Sequence, residues 1–429
     1  MIFYSYESFF YIKSKIKFGM CGENRERLKK ILSNKKIGFF FGAGVSFLSG
    51  IPKLRNCETI LERILCPYKN KNLPEKLGIK YEDIPAIHFF IKKASEIEEK
   101  CLSCRYPKLI IPNGSFYEDV IDLLLRNCVT DPQVYEKEGV LRPLCKNYKL
   151  EGIVKKIKYD FPSYYNKVLE DRKKLGNAKA ENIDMLFPIS QNVVNYIKYV
   201  FKELITISDP KDIKGYDFLL DFIKKLKNEV SVYTLNNDLV LENLFEKENL
   251  SYSVGYDKEL KKFNCDFSKK IKYFKLHGSI DLFWDKSCTR EHLIPFFEMG
   301  TNIKKLVYEH NLSELIGAFK SDLSQCDILF ISGFGFNDVE MAKILNDFYK
   351  GENKLIVRMY EKNGFLPAQT KSYFCDELKE SPLLSEINEA FTFKNGLVDT
   401  GKFMCDMELS DLEEIFSMEE VKKRLNILD

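Results

Sequence analysis

Four short stretches of this 429-residue chain carry residue types that can do chemistry together. In the first, an apolar run at 37–41 ends in Gly42-Ala43-Gly44, followed by Ser46, then Gly50-Ile51-Pro52 and Arg55. Glycines without a Cβ let such a turn bring backbone close to a guest. Ser46 is expected to cap a following helix, whose free N–H groups and positive dipole end favour a phosphate. The guest that suits this is a nucleotide, although Phe47 stands where the dinucleotide fingerprint has its third glycine. The second stretch is Thr234-Leu235-Asn236-Asn237-Asp238, with Glu242 and Phe245 beyond it. The third is Lys275-Leu276-His277-Gly278-Ser279, and the fourth is Ser332-Gly333-Phe334-Gly335-Phe336-Asn337-Asp338. An imidazole can move a proton, while an amide and a carboxylate can orient a water and meet positive charge. Singly, a histidine is more often a hydrogen-bonded structural residue, and an Asn or Asp more often a turn or N-cap residue. Joint placement in this order is much harder to obtain by chance.

The elements that must position these residues are short apolar strands at 37–41, 230–234, 271–276, 327–332 and 354–359. Helical stretches separate most of them, so the pattern predicts an α/β fold with a Rossmann-like, doubly wound parallel sheet. In such a sheet ligands sit beyond the carboxyl ends of the strands, where the four stretches fall. Residues 1–22 form an aromatic N-terminal extension without the marks of a targeting peptide; either it packs on a neighbour or translation starts at Met20. Residues 23–59 open the sheet domain with an amphipathic helix carrying Leu28, Ile31 and Leu32. Residues 60–215 read as a large helical insertion. Its marks are Pro85 ahead of Ile87, Phe90, Ile91, Ala94 and Ile97, a capping box from Ser115 to Glu118, and Val193, Tyr196, Ile197, Val200 and Phe201 at helical spacing. Its lysines, Lys155, Lys156, Lys158 and Lys167, read as a solvated face. Residues 216–360 complete the sheet domain, and 361–429 form a mostly helical tail with Leu409, Leu412 and Ile415, then Val421, Leu425 and Ile427, on successive faces.

Lys plus Arg number 66 against 63 Asp plus Glu, a net charge of +3 that gives no bulk attraction to nucleic acid. The 12 cysteines are scattered apart from Cys101 and Cys104, which make at most half a zinc site. No secretory signal or bilayer-length apolar run is present, so the expectation is a soluble, cytoplasmic protein without a membrane segment.

The order G-A-G-x-S with G-I-P-x-x-R, then T-x-N-x-D, then H-G-S, then a G-x-G-F-N-D loop resembles the SIR2 (sirtuin) superfamily over residues 36–338. T-L-N-N-D-L-V-L-E and G-F-G-F-N-D look like its prokaryotic SIR2-like, defence-associated NADase branch more than its protein deacylases. The resemblance implies NAD+ as substrate. Gly42, Ala43, Gly44 and Ser46 would line its pyrophosphate, with Pro52 and Arg55 towards the ribose and nicotinamide. Thr234, Asn236 and Asp238 would surround the nicotinamide ribose and carboxamide, and His277 would be the general base. Gly333, Gly335, Asn337 and Asp338 would hold the adenosine half. Sirtuin deacylases carry a zinc ribbon with two C-x-x-C pairs beyond H-G-S. Here only Cys288 lies between His277 and Cys326, so no zinc is expected and the acyl-lysine cleft loses one wall. The activity implied is an NAD+ glycohydrolase that releases nicotinamide and ADP-ribose, an antiviral, abortive-infection effector that depletes NAD+. The alternatives are a deacylase or ADP-ribosyltransferase, and a non-catalytic NAD or ADP-ribose sensor. Restraint of such an enzyme implies a homo-oligomer or a partner such as a HerA-like ATPase.

Overall fold

The computed structural model describes residues 22–46, 49, 51, 79–105, 150–174, 185–206, 213, 215–226, 229–257, 262–263, 267–284, 294–297, 304–334, 339–359, 392–394 and 396–427. Pro52, Arg55, the Ser115 capping box, Cys288, Gly335, Asn337 and Asp338 lie outside these residues.

In chain order the strands are β1 (Ile37–Phe41), β2 (Val230–Thr234), β3 (Tyr252–Ser253), β4 (Tyr256–Asp257), β5 (Lys262–Phe263), β6 (Ile271–Lys275), β7 (Gly278–Trp284), β8 (Ile294–Phe297), β9 (Ile328–Ser332), β10 (Leu355–Met359), β11 (Thr392–Lys394) and β12 (Leu397–Asp399). Eight of them form one sheet in the order β11-β12-β10-β9-β1-β2-β6-β3. Every pairing in it is parallel except β11 with β12. The chain builds outward from β1 through β2 to β6, then crosses back to β9 and on to β10, so the strand order reverses around β1. That reversal opens the crevice in which doubly wound sheets bind ligands.

The central strands IGFFF, VSVYT, ILFIS and LIVRM are buried at every position. Continuous burial follows from helices covering both faces of a parallel sheet. On one face, Phe40, Tyr233, Phe274 and Ile331 pack with Leu315, Phe319 and Leu323 of the helix Lys304–Gln325 and with Leu345 and Phe348 of the helix Val339–Lys350. On the other, Phe39, Val232, Phe330 and Val357 share a core with Leu28 and Leu32 of the helix Gly22–Leu32 and with the insertion residues Ile87, Phe90, Tyr196 and Val200. Phe39 stacks on Phe330 at 4.9 Å and meets Phe222 edge-on at 5.2 Å, which ties β1 to β9 and to the segment leading into β2.

The described helices of residues 60–215 are Ile84–Arg105, Leu150–Asp160, Pro162–Lys174 and Leu186–Leu204. Cys101 and Cys104 both lie on the first of these. Lys155, Lys156 and Lys158 are exposed, whereas Lys167 turns inward to bond the buried Asp83 carboxylate at 2.5 Å. Beyond 360, where the periodicity predicts a mostly helical tail, the chain also contributes to the sheet. Leu397–Asp399 pairs parallel with β10, and only then come the helices Leu409–Ser417 and Glu419–Leu425. A three-residue strand is too short to leave an alternation in the sequence, which is why the expected boundary stops before it. No helix among the described residues is long and apolar enough to cross a membrane.

Candidate active site

The register of the four strands β9, β1, β2 and β6 sets the floor of the site. Phe41 is level with Thr234 on one side and with Ser332 on the other, and Thr234 is level with Lys275. The four chemistry-bearing stretches therefore leave the sheet at one height.

The glycines are where they are because two strand-end turns touch backbone to backbone. Gly42 N–H donates to Ser332 O and Gly44 N–H to Gly333 O, both at 3.0 Å. A Cβ on Gly42 would lie 2.5 Å from Gly333 O, and one on Gly333, whose φ is +67°, would lie 2.5 Å from Val45 N. These amides are thus spent on β9 rather than offered to a phosphate. The helix after the turn is described over Ala43–Ser46. Ser46 lies within this helix instead of capping it, a correction to the sequence reading. Its hydroxyl is fully buried and stands 3.0 Å from Asn236 Nδ2 and 3.1 Å from Tyr216 Oη.

Thr234 shapes the next turn. Its hydroxyl accepts the Asn236 N–H at 3.0 Å and donates to Phe41 O at 3.4 Å. Asn236, 8% exposed, then points its Nδ2 at Gly42 O (3.1 Å) and Ser46 Oγ (3.0 Å). Flipping the amide would set Oδ1 against the Gly42 carbonyl, two acceptors facing each other, so the network fixes which atom is which. Among the described residues Oδ1 is left buried without a partner, as are Asn237 Oδ1 and Ser332 Oγ on the same strand-end segments. A buried acceptor without a donor costs about 1–3 kcal/mol. A hydroxyl or water placed there would recover it.

Asp238 Oδ1 accepts the Val240 N–H at 3.0 Å and so starts the helix Val240–Lys247. Burial pushes its carboxyl above the ordinary range; the nearby Lys275, the Val240 amide and the Ser46 hydroxyl pull the other way without cancelling the rise. Lys275, 4% exposed, donates to Asp238 O at 2.5 Å and to Glu242 Oε1 at 2.6 Å, and Tyr273 donates to Glu242 Oε2 at 3.2 Å. This buried pair fastens the end of β6 to the N-x-D turn two residues before His277.

His277 is half-buried, two residues beyond the end of β6. Its segment is clasped to the amide-bearing turn on both sides: Leu276 N–H donates to Thr234 O at 2.9 Å and Ile280 N–H to Asn237 O at 3.0 Å. Gly278, at φ +81°, lets the chain reverse into β7 between those two bonds. The structure thus brings together Gly42, Ala43, Gly44, Ser46, Thr234, Asn236 and Gly333 around the end of β1, with Asp238 on the same turn as Asn236 and the His277 segment clasped to the far side of that turn. Sequence reasoning did not single out Lys275, Glu242 or Tyr216 as site residues. The first two sat inside recognised stretches, where an ionic pair at a strand end was available as a signal; Tyr216 belongs to no motif. Among the described residues no three His, Cys, Asp or Glu side chains cluster as metal donors.

Residues 230–382 match the family model of the SIR2-like domain. The match takes in β2, β6, β9 and β10 with the Asn236, His277 and Gly333 turns; β1 and its glycine turn precede it, although β1 lies between β2 and β9. None of the curated proteins matches the chain.

Proposed function

We propose, from the match of residues 230–382 to the SIR2-like domain, that the chain is an NAD+ glycohydrolase cleaving NAD+ to nicotinamide and ADP-ribose. The observation that carries this reading is the locked amide of Asn236, which turns both its donors into the protein and leaves a buried acceptor without a partner among the described residues, at the strand-order reversal. An acceptor there suits a ligand that presents O–H groups, as a ribose or an attacking water does.

In the proposed reaction the bond between C1′ of the ribose and the nicotinamide nitrogen breaks, its electron pair leaving with nicotinamide as a neutral base. Positive charge grows on the ribose as it does so, and stabilising that charge is where the rate comes from. Asn236 Oδ1 accepts a hydrogen bond from the water or a ribose hydroxyl and so orients it. The water oxygen bonds to C1′ while its proton passes to His277. Asp238, held over the same turn, meets the developing charge or holds the carboxamide. NAD+ depletion by such an enzyme would serve antiviral defence by abortive infection, with self-association or a partner ATPase restraining it until needed. Full constitutive activity from a purified monomer would count against that restraint.

The test is nicotinamide release from NAD+ by the purified chain, with and without an acetylated peptide. Peptide-independent release that falls at least about 100-fold in His277→Ala or Asn236→Ala, with fold retained, is the expected result. Release only with peptide would favour a deacylase or ADP-ribosyltransferase, and NAD+ binding without release would favour a sensor.

A further inference from the structure

Tyr216 lies outside every motif, between the helical insertion and β2, one residue before the short helix Asp217–Asp221. It is 2% exposed, its ring meets Phe41 edge-on at 5.9 Å, and its hydroxyl is 3.1 Å from Ser46 Oγ. A serine hydroxyl has two acceptor lone pairs and one proton to give. Ser46 Oγ already accepts one hydrogen bond, from Asn236 Nδ2. A phenol O–H fills the second lone pair, and the serine proton is then free to turn to the Asp238 carboxyl, which the Ser46 hydroxyl helps keep charged. Burial first, then the Asp238 and Glu242 carboxylates, push the Tyr216 phenol well above its ordinary range, so it keeps its proton and remains a donor.

We propose that Tyr216 is a positioning residue for the reaction: acting through Ser46, it fixes the side chain of Asn236 so that Oδ1 is aimed before substrate arrives. The geometry is a chain of three groups, phenol to hydroxyl to amide, each fully or nearly buried, with the Gly42 carbonyl as the second anchor of the amide. Remove the phenol oxygen and Ser46 can rotate; once Ser46 rotates, one of the two bonds that orient Asn236 goes with it. Tyr216 itself touches no reacting atom in this scheme. Its loss should therefore appear in kcat, with KM close to the wild-type value, because the substrate-binding surface is intact while the aim of the amide is not.

This inference rests on the hydrolase reading, and the experiment separates the two. Steady-state nicotinamide release and NAD+ affinity are measured for wild type, Tyr216→Phe, Ser46→Ala and the double variant, with folding checked by circular dichroism and melting. Tyr216→Phe is expected to lower kcat about tenfold, the scale of one hydrogen bond, and the double variant to be no slower than Ser46→Ala alone. Ser46→Ala cuts the same chain one link later and must show a fall at least as large, so it carries the test even if Tyr216→Phe does not fold. Wild-type kcat in a folded Tyr216→Phe or in Ser46→Ala overturns the inference, leaving the hydrolase reading standing. So do losses that multiply in the double variant. A wild-type protein that neither binds nor cleaves NAD+ overturns both.

Discussion

The carboxyl of Asp238 holds its proton to higher pH in the folded chain than in the unfolded one, because burial outweighs Lys275 and the hydrogen bonds it accepts. The groups facing it are Lys275, Glu242, and the phenols of Tyr216 and Tyr273. Between the ordinary carboxylate value and the raised one, the native state binds more protons than the unfolded state, so stability falls as pH rises through that window. If the ionised form meets the ribose charge, turnover rises over the same window. Asp238→Asn is therefore expected to lose the acid limb of the rate profile along with most of the rate. Its melting temperature at neutral pH should equal or exceed that of wild type. A variant both inactive and clearly less stable would assign Asp238 to the fold instead. Lys275 makes the opposite case: Lys275→Met leaves the Glu242 carboxylate buried without its cation, a loss of about 3–5 kcal/mol, readable as a large drop in the denaturation midpoint. At this scale Asn236, Asp238 and His277 were legible because they stand directly after apolar runs. The acceptor left open on Asn236 was not, since which atom of an amide is free depends on partners drawn from Gly42 and Ser46, about 190 residues away.

The strand-end turns are interlocked elements, and the glycines in them differ sharply from glycines elsewhere. Gly333→Ala must accommodate a Cβ against Val45 N at a positive φ, a strain of about 1–3 kcal/mol before any backbone shift. It is expected to lower both the melting temperature and NAD+ affinity, since the turns after β1 and β9 move together. Gly152, on the helix Leu150–Asp160, has nothing within 4 Å of its would-be Cβ, so Gly152→Ala should stabilise by up to about 1 kcal/mol without touching affinity. Equal effects in the two variants would refute the interlocking. The central strands were readable because each is a short apolar run buried on both faces. Ser46 was misread as a cap because the same residue type that caps a helix also suits a buried hydroxyl junction, and only Tyr216 and Asn236 decide between them. Periodicity likewise gave the apolar faces of the insertion helices but not their partner, which proves to be the sheet core around Phe39 and Phe330.

Across the whole molecule the fold class follows from the alternation of short apolar strands with helices, and residues 230–382, which carry three of the four motifs, match the SIR2-like domain. The proposed chemistry draws on protein side chains throughout, so nicotinamide release is expected to be unchanged after exhaustive chelation; loss of activity restored by a divalent cation would contradict it. The position of β1 also governs when the pocket can form. Its neighbours in the sheet, β2 and β9, lie far downstream, and its turn is held by the carbonyls of Ser332 and Gly333. Contacts so distant in sequence form late and slowly. During synthesis the amino-terminal strand must wait, unpaired on its β9 side, until the ribosome has released residue 333. A partial chain that ends before that point therefore lacks the carbonyls that hold the β1 turn, and a truncation there is expected to bind no NAD+.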